Sequence, residues 1–146
     1  MINPAKFFSD NEKKEIKEAI ETAELNTSGE IRLHVEGHCN EDVLDRAAYW
    51  FKKLKMHQTE ERNGVLFYLA VADRKFAIIG DEGINSKVES DFWQATRDLV
   101  LGFFKEEKIA KGLSVGIIQA GLQLKRFFPY QIDDVNELDN EISYGK

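Results

Sequence analysis

Gly80-Asp81-Glu82-Gly83-Ile84-Asn85 places two carboxylates and an amide oxygen in one short segment between glycines. Hard cations such as Ca²⁺ take oxygen ligands of this kind from flexible loops. The spacing is not that of an EF-hand loop, and a solvated turn is the plainer alternative. Other chemistry is harder to find. The chain has no G-x-S-x-G, no Walker loop, no H-E-x-x-H and no C-x-x-C. His34 and His38 have no second cysteine or carboxylate cluster in sequence to complete a zinc site, and read as surface or loop histidines. His57 stands alone. Cys39 has no partner for a disulfide and reads as an inert thiol. By sequence Arg62 and Arg74 are the nearest candidate phosphate clamps, and they are expected at opposite rims of the sheet.

The elements that must position these groups follow from pattern. Ser9-Asp10-Asn11-Glu12 has the form of a capping box, and Ile16, Ala19, Ile20 and Ala23 continue it as one helical stripe ending near Leu25. Ile31, Leu33 and Val35 alternate with Arg32, His34 and Glu36, which predicts a strand with one drier face. Asn40 can cap a second helix whose stripe runs Val43/Leu44, Ala47/Ala48, Phe51, Leu54. Val65–Ala72 is an uninterrupted apolar run, as expected of a central strand covered on both faces. Lys75–Ile79 follows so closely that a hairpin is required. Gly80–Ser86 reads as a loop. Helices are predicted from Asp91 and over Leu113–Phe128. Gly116, Ala120 and Gly121 let the second of these lie close to the sheet, and Pro129 stops it.

A strand–helix–strand unit plus a hairpin gives an α/β fold: a three-layer αβα sandwich around a small twisted mixed sheet. That topology carries Glu30 and Asn63 to the amino edge of the parallel strands. The antiparallel third strand ends at the same edge with Asp81 and Glu82, and Asp91 follows closely. These five residues, Asp81, Glu82, Asp91, Glu30 and Asn63, are the candidate metal ligands. The opposite rim offers Glu36, His38 and Asp73. The general rule for α/β sheets favours that opposite rim, whereas oxygen density favours the first.

Length and charge bound the rest. At 146 residues and 42% hydrophobic, the chain suits one domain over 1–131 and an acidic tail over 132–146. The net charge is −6, of which −4 sits in the tail, so the body carries −2. This is no footprint of a nucleic-acid binder. The longest apolar run is too short to span a bilayer, so no membrane insertion is expected. No basic stretch followed by an apolar one opens the chain, which suggests a cytoplasmic protein.

Several short motifs together resemble the TPM domain family. They are Thr27-Ser28-Gly29-Glu30-Ile31, Arg62-Asn63-Gly64-Val65-Leu66, Asp73-Arg74-Lys75, Gly80-Asp81-Glu82-Gly83-Ile84, Asp91-Phe92-Trp93 and Gly112-Leu113. They keep their order over residues 6–129. The resemblance implies an αβα sandwich, divalent-cation binding in some members, chiefly of Ca²⁺, and a proposed acid phosphatase activity; for this chain the cofactor expected is Ca²⁺, with Mg²⁺ as the alternative. Many members carry a signal peptide and a membrane anchor. This chain shows neither and is similar to the short stand-alone bacterial members. Two functions from different classes follow. One is a soluble divalent-cation binding domain serving as a binding or regulatory module, with a protein partner unidentified. The other is a metal-assisted acid phosphatase acting on phosphomonoesters. No Lys/Arg cluster accompanies the acidic loop, which ranks binding first. A metal-free interaction domain is the third reading.

Overall fold

The structure, a computed structural model, describes residues 3–130 and 139–145. The capping box forms as expected. The Ser9 hydroxyl accepts from the Glu12 N–H at 3.1 Å and the Glu12 carboxylate accepts from the Ser9 N–H at 2.9 Å. It starts α1, Asp10–Glu24, whose buried face is Ile16, Ala19, Ile20 and Ala23. Strand β1 is Glu30–Glu36. Helix α2, Val43–Lys53, is capped by Asp42 and not by Asn40. The Asp42 carboxylate takes the N–H groups of Leu44 and Asp45, leaving Asn40 exposed in the loop before it.

Strand β2, Gly64–Ala70, is buried at every residue. It pairs parallel with β1, Glu30 opposite Gly64, and antiparallel with β3, Lys75–Gly80. Val65, Phe67 and Leu69 face α1, α4 (Phe92–Lys105) and α5 (Ile109–Phe127), while Leu66, Tyr68 and Ala70 face α2. Both faces are dry, so the strand is central. The sheet order is β3-β2-β1-β4, with β4 the short strand Ser143–Tyr144, and the three layers match the α/β sandwich read from sequence. The small residues of α5 serve helix contacts as much as sheet contacts. A Cβ at Gly121 would lie 2.6 Å from the Ala23 Cβ on α1, and one at Gly116 would lie 2.5 Å from the Val100 Cγ2 on α4 and 3.1 Å from Phe67 on the sheet.

Two further features depart from the sequence reading. The segment expected as a loop after β3 contains a short helix, α3, Glu82–Asn85, capped by Asp81. Beyond Pro129, where no element was expected, Ser143–Tyr144 form β4, parallel to β1 with His34 opposite Ser143. Two residues carry no periodicity to read. Residues 132–138 and 146 of the acidic tail lie outside the described residues.

Candidate functional site

The amino edge of the sheet assembles largely as topology required. The Glu30 N–H reaches the Asn63 carbonyl at 3.4 Å, and the Asp81 N–H reaches the Gly64 carbonyl at 2.9 Å. Glu30, Asn63 and Asp81 therefore share one rim, and all three are buried. Asp91 does not join them. It is exposed before α4, with no side-chain capping bond. Trp93, two residues on, instead donates from its indole to the Asn85 Oδ1 at 2.6 Å.

Asp81 and Glu82 are already matched with a cation from the chain itself. Arg62 donates from Nε to Asp81 Oδ2 at 2.7 Å, from Nη2 to Asp81 Oδ1 at 2.9 Å, and from Nη1 to Glu82 Oε1 at 3.1 Å. Fork geometry of this kind is strong and directional. Arg62 sits at φ 53°, a left-handed turn position just before β2. Gly83 holds the other side: a Cβ there would lie 2.1 Å from the Glu61 carbonyl, so only glycine lets α3 close onto this turn. The sequence reading counted Arg62 as a phosphate clamp. Its guanidinium is committed to the carboxylates, as its raised pKa reflects, through the hydrogen bond to Asp81 first. Arg74 lies at the opposite rim, in the turn between β2 and β3.

Glu30 faces a different environment. It borders a cavity of about 470 Å³ together with Glu21 and Glu24 from α1. Asn26, Thr27, Ser28 and Asn140 add amide and hydroxyl groups, and no Lys or Arg is among the described lining residues. Glu24 Oε2 accepts from the Ile31 N–H at 2.8 Å, and its carboxyl also hydrogen-bonds Glu30 and Asn140. Burial pushes Glu24 up to about 7, against those hydrogen bonds and with help from Glu21. Two carboxyls this close favour sharing a proton or a cation over both standing ionised. Asn63 sits behind the cavity, donating from Nδ2 to Ser28 Oγ at 3.1 Å, and Ser28 in turn donates to Glu61 at 2.5 Å. Asn63 Oδ1 is buried with no hydrogen-bond partner among the described residues. Glu24 and Asn26 were missed from sequence because Glu24 reads as the polar end of α1. The usable signal was the oxygen-rich run Glu24–Ser28 leading straight into Gly29-Glu30.

At the other end of β1 the polar groups are sealed. Glu36 is 3% exposed and accepts from Arg46 Nε and Nη2, both at 2.8 Å, and from the Tyr68 hydroxyl at 2.6 Å. Burial pushes its carboxyl up, but Arg46 and Tyr68 outweigh burial and leave it below the usual range. His34, expected at the surface, is fully buried. It stacks on Trp50 at 3.8 Å between ring centres, with Nδ1 2.9 Å from Ser143 Oγ. Helix α2 and β4 cover a face that the alternation alone marks as wet. Burial pushes His34 down to about 4. His38 stays exposed beside Asp73 at 3.2 Å, as expected, and Cys39 is a buried free thiol. Nowhere among the described residues do three or more His, Cys, Asp or Glu side chains stand in a metal-binding group.

The family model for the TPM domain matches residues 1–122. The chain belongs to the TPM domain family. Its fold is similar to that of the BA42 protein from the psychrophilic bacterium Bizionia argentinensis, at TM-score 0.89 and 47% identity over 99% of this chain and 100% of that one. The TPM fold also matches the N-terminal domain of a protein from P. gingivalis, TM-score 0.71 and 14% identity, covering 87% of this chain and 83% of that chain. The N-terminal domain of cg2496 from Corynebacterium glutamicum gives TM-score 0.64 and 13% identity, covering 81% and 74%. At such identities these two speak for the fold alone. No curated protein matches the chain. In this TPM domain, no helix among the described residues is long and apolar enough to cross a membrane.

Proposed function

We propose that this TPM domain is a divalent-cation binding module and that the ion, Ca²⁺ or Mg²⁺, sits in the cavity between Glu24 and Glu30. The observation behind the reading is the donor set. Two hydrogen-bonded carboxyls face one cavity with a third acid, Glu21, and neutral oxygens from Asn26, Thr27, Ser28 and Asn140. Hard cations accept such oxygen sets, and Mg²⁺ in particular needs only one or two carboxylates and keeps several waters. Glu30 and Asn63 stay in the proposal, Asn63 as the neighbour that orients Ser28. Asp81 and Glu82 leave it, because Arg62 already neutralises them, and Asp91 stands apart. An ion here would tie the end of α1 to the start of β1 and to Asn140 in the C-terminal segment.

Hydrolysis of phosphomonoesters ranks second. Phosphoryl transfer needs positive groups around the phosphate. The cavity's described lining has none, and Arg62 is held by two carboxylates. The test is an amide-resolved NMR titration with Ca²⁺ and Mg²⁺ on the wild type and on Glu24→Gln with Glu30→Gln. Saturable shifts at residues 24–31 that vanish in the double variant are expected. Shifts confined to residues 81–85, or near Glu36 and Asp73, would overturn the assignment.

A further inference from the structure

A second cavity, of about 480 Å³, lies at the carboxyl end of β2, away from the acidic rim. Its floor is Leu69 and Val71. Its walls are Phe7, Leu101, Phe104 and Ile109, each only partly buried. This volume is within the range of small-molecule sites, which are mainly apolar with a few charged groups at fixed places. It also sits outside the carboxyl end of a parallel strand, where α/β sheets commonly take ligands.

The charged residues at its mouth are Arg74, Lys105 and Glu107. Their backbone positions are unusual. Arg74 has φ 54° in the hairpin turn and Glu107 has φ 61° in the turn between α4 and α5. The second turn is a Schellman closure, with the Lys108 N–H on the Phe103 carbonyl and the Glu107 N–H on the Phe104 carbonyl, both at 3.0 Å. Glycine is the unstrained residue at both places. A long charged side chain occupies each instead. No ion pair or hydrogen bond of the Arg74 or Lys105 side chain occurs among the described residues. Two unmatched cations against one anion leave the mouth net positive, above an apolar interior.

We propose that this cavity binds a free single-chain carboxylate, its apolar chain among Phe7, Leu101, Phe104 and Ile109 and its head group at Arg74 and Lys105. Guanidinium and ammonium groups bind a carboxylate through charge-assisted hydrogen bonds, while the interior offers only dispersion and exclusion of water.

The test is a titration of the full chain with octanoate, octan-1-ol and octylamine, followed by amide shifts. Octanoate is expected to move residues 69–74 and 101–109 saturably, and to bind about tenfold more tightly than the alcohol, one decade being about 1.4 kcal/mol. Arg74→Gln with Lys105→Gln should erase that preference while alcohol binding persists. Both positions are exposed, so the fold should tolerate the change. Equal binding of acid and alcohol, a preference for the amine, or no saturable shift would overturn the proposal. So would cosedimentation with phosphatidylglycerol vesicles without octanoate binding, which would mark a membrane contact instead.

Discussion

Glu30 and Glu36 begin and end the same strand, and both are nearly inaccessible, at 2% and 3% exposure. Their surroundings are opposite. Glu36 meets Arg46 and Tyr68, so its charge is matched and its carboxyl is held below the usual range. Glu30 meets the carboxyl of Glu24, hydrogen-bonded to it at the edge of a cavity, and burial pushes Glu24 up to about 7 against that bond. Burial alone therefore does not decide what a carboxylate does. The identity of the partner decides it. A carboxylate held by a guanidinium is a structural link; two carboxyls in contact beside a cavity are the place where the proposed cation would sit.

The largest effect should come from breaking the matched end. Arg46→Leu leaves Glu36 buried without its cation, and a loss of about 3 kcal/mol is expected, on the scale known for broken buried pairs. Adding Glu36→Gln should recover a large part of it. Denaturant unfolding of the three proteins measures this, and a single-variant loss under about 1 kcal/mol would show that water replaces the guanidinium.

Next in size is pH dependence, where the two ends oppose each other. Glu24 has its folded pKa raised from 4.5 to about 7. The folded state then keeps a proton the unfolded chain releases, so stability falls as pH rises from 4.5 to 7. His34 is lowered from 6.5 to about 4. The unfolded chain takes up that proton first, so stability falls as pH drops from 6.5 to 4. Glu24→Gln should remove only the first effect. A gain on the order of 2 kcal/mol is expected at pH 8, with little change at pH 4.5. Thermal melts across pH 4–8 check the sign, and a variant that parallels the wild type at every pH would contradict it.

A smaller effect belongs to Arg62. Removing it with Arg62→Gln should leave Asp81 and Glu82 without their guanidinium. Ca²⁺ should then shift the amides of residues 81–85, which are expected to stay still in the wild type. Their continued silence would mean that two carboxylates on this rim do not suffice. The smallest expected effect is on turnover. Hydrolysis of a generic phosphomonoester should be weak or absent with or without Ca²⁺ or Mg²⁺, and unchanged by Asp81→Asn with Glu82→Gln. Strong metal-dependent turnover lost in that variant would make the hydrolase reading primary.

Much of the frame was legible in the residues. The capping box at Ser9 and Glu12, the dry run at Val65 and the hairpin at Asp73-Arg74 are local signals, and each formed. Strand direction followed from connection length, so the gathering of Glu30, Asn63 and Asp81 at one rim was legible too. The pairings were not. Arg62 reaches Asp81 only because a left-handed turn and the close approach at Gly83 set α3 against it. Glu24 meets Glu30 only because the turn after α1 folds the helix end back over the first strand.

The sequence by itself determined the family, through its ordered motifs, and also the layer order and the edge of the sheet that gathers Glu30, Asn63 and Asp81, because periodicity, caps and connection lengths act over a few residues. Only the tertiary structure decided which of those carboxylates are already neutralised. His34, four residues along β1 from Glu30, reads as wet in an alternating strand and is buried by α2 and by a two-residue strand from the far end of the chain. Charge matching and burial depend on side chains brought together from distant positions at hydrogen-bond range, and spacing along the chain does not encode that distance.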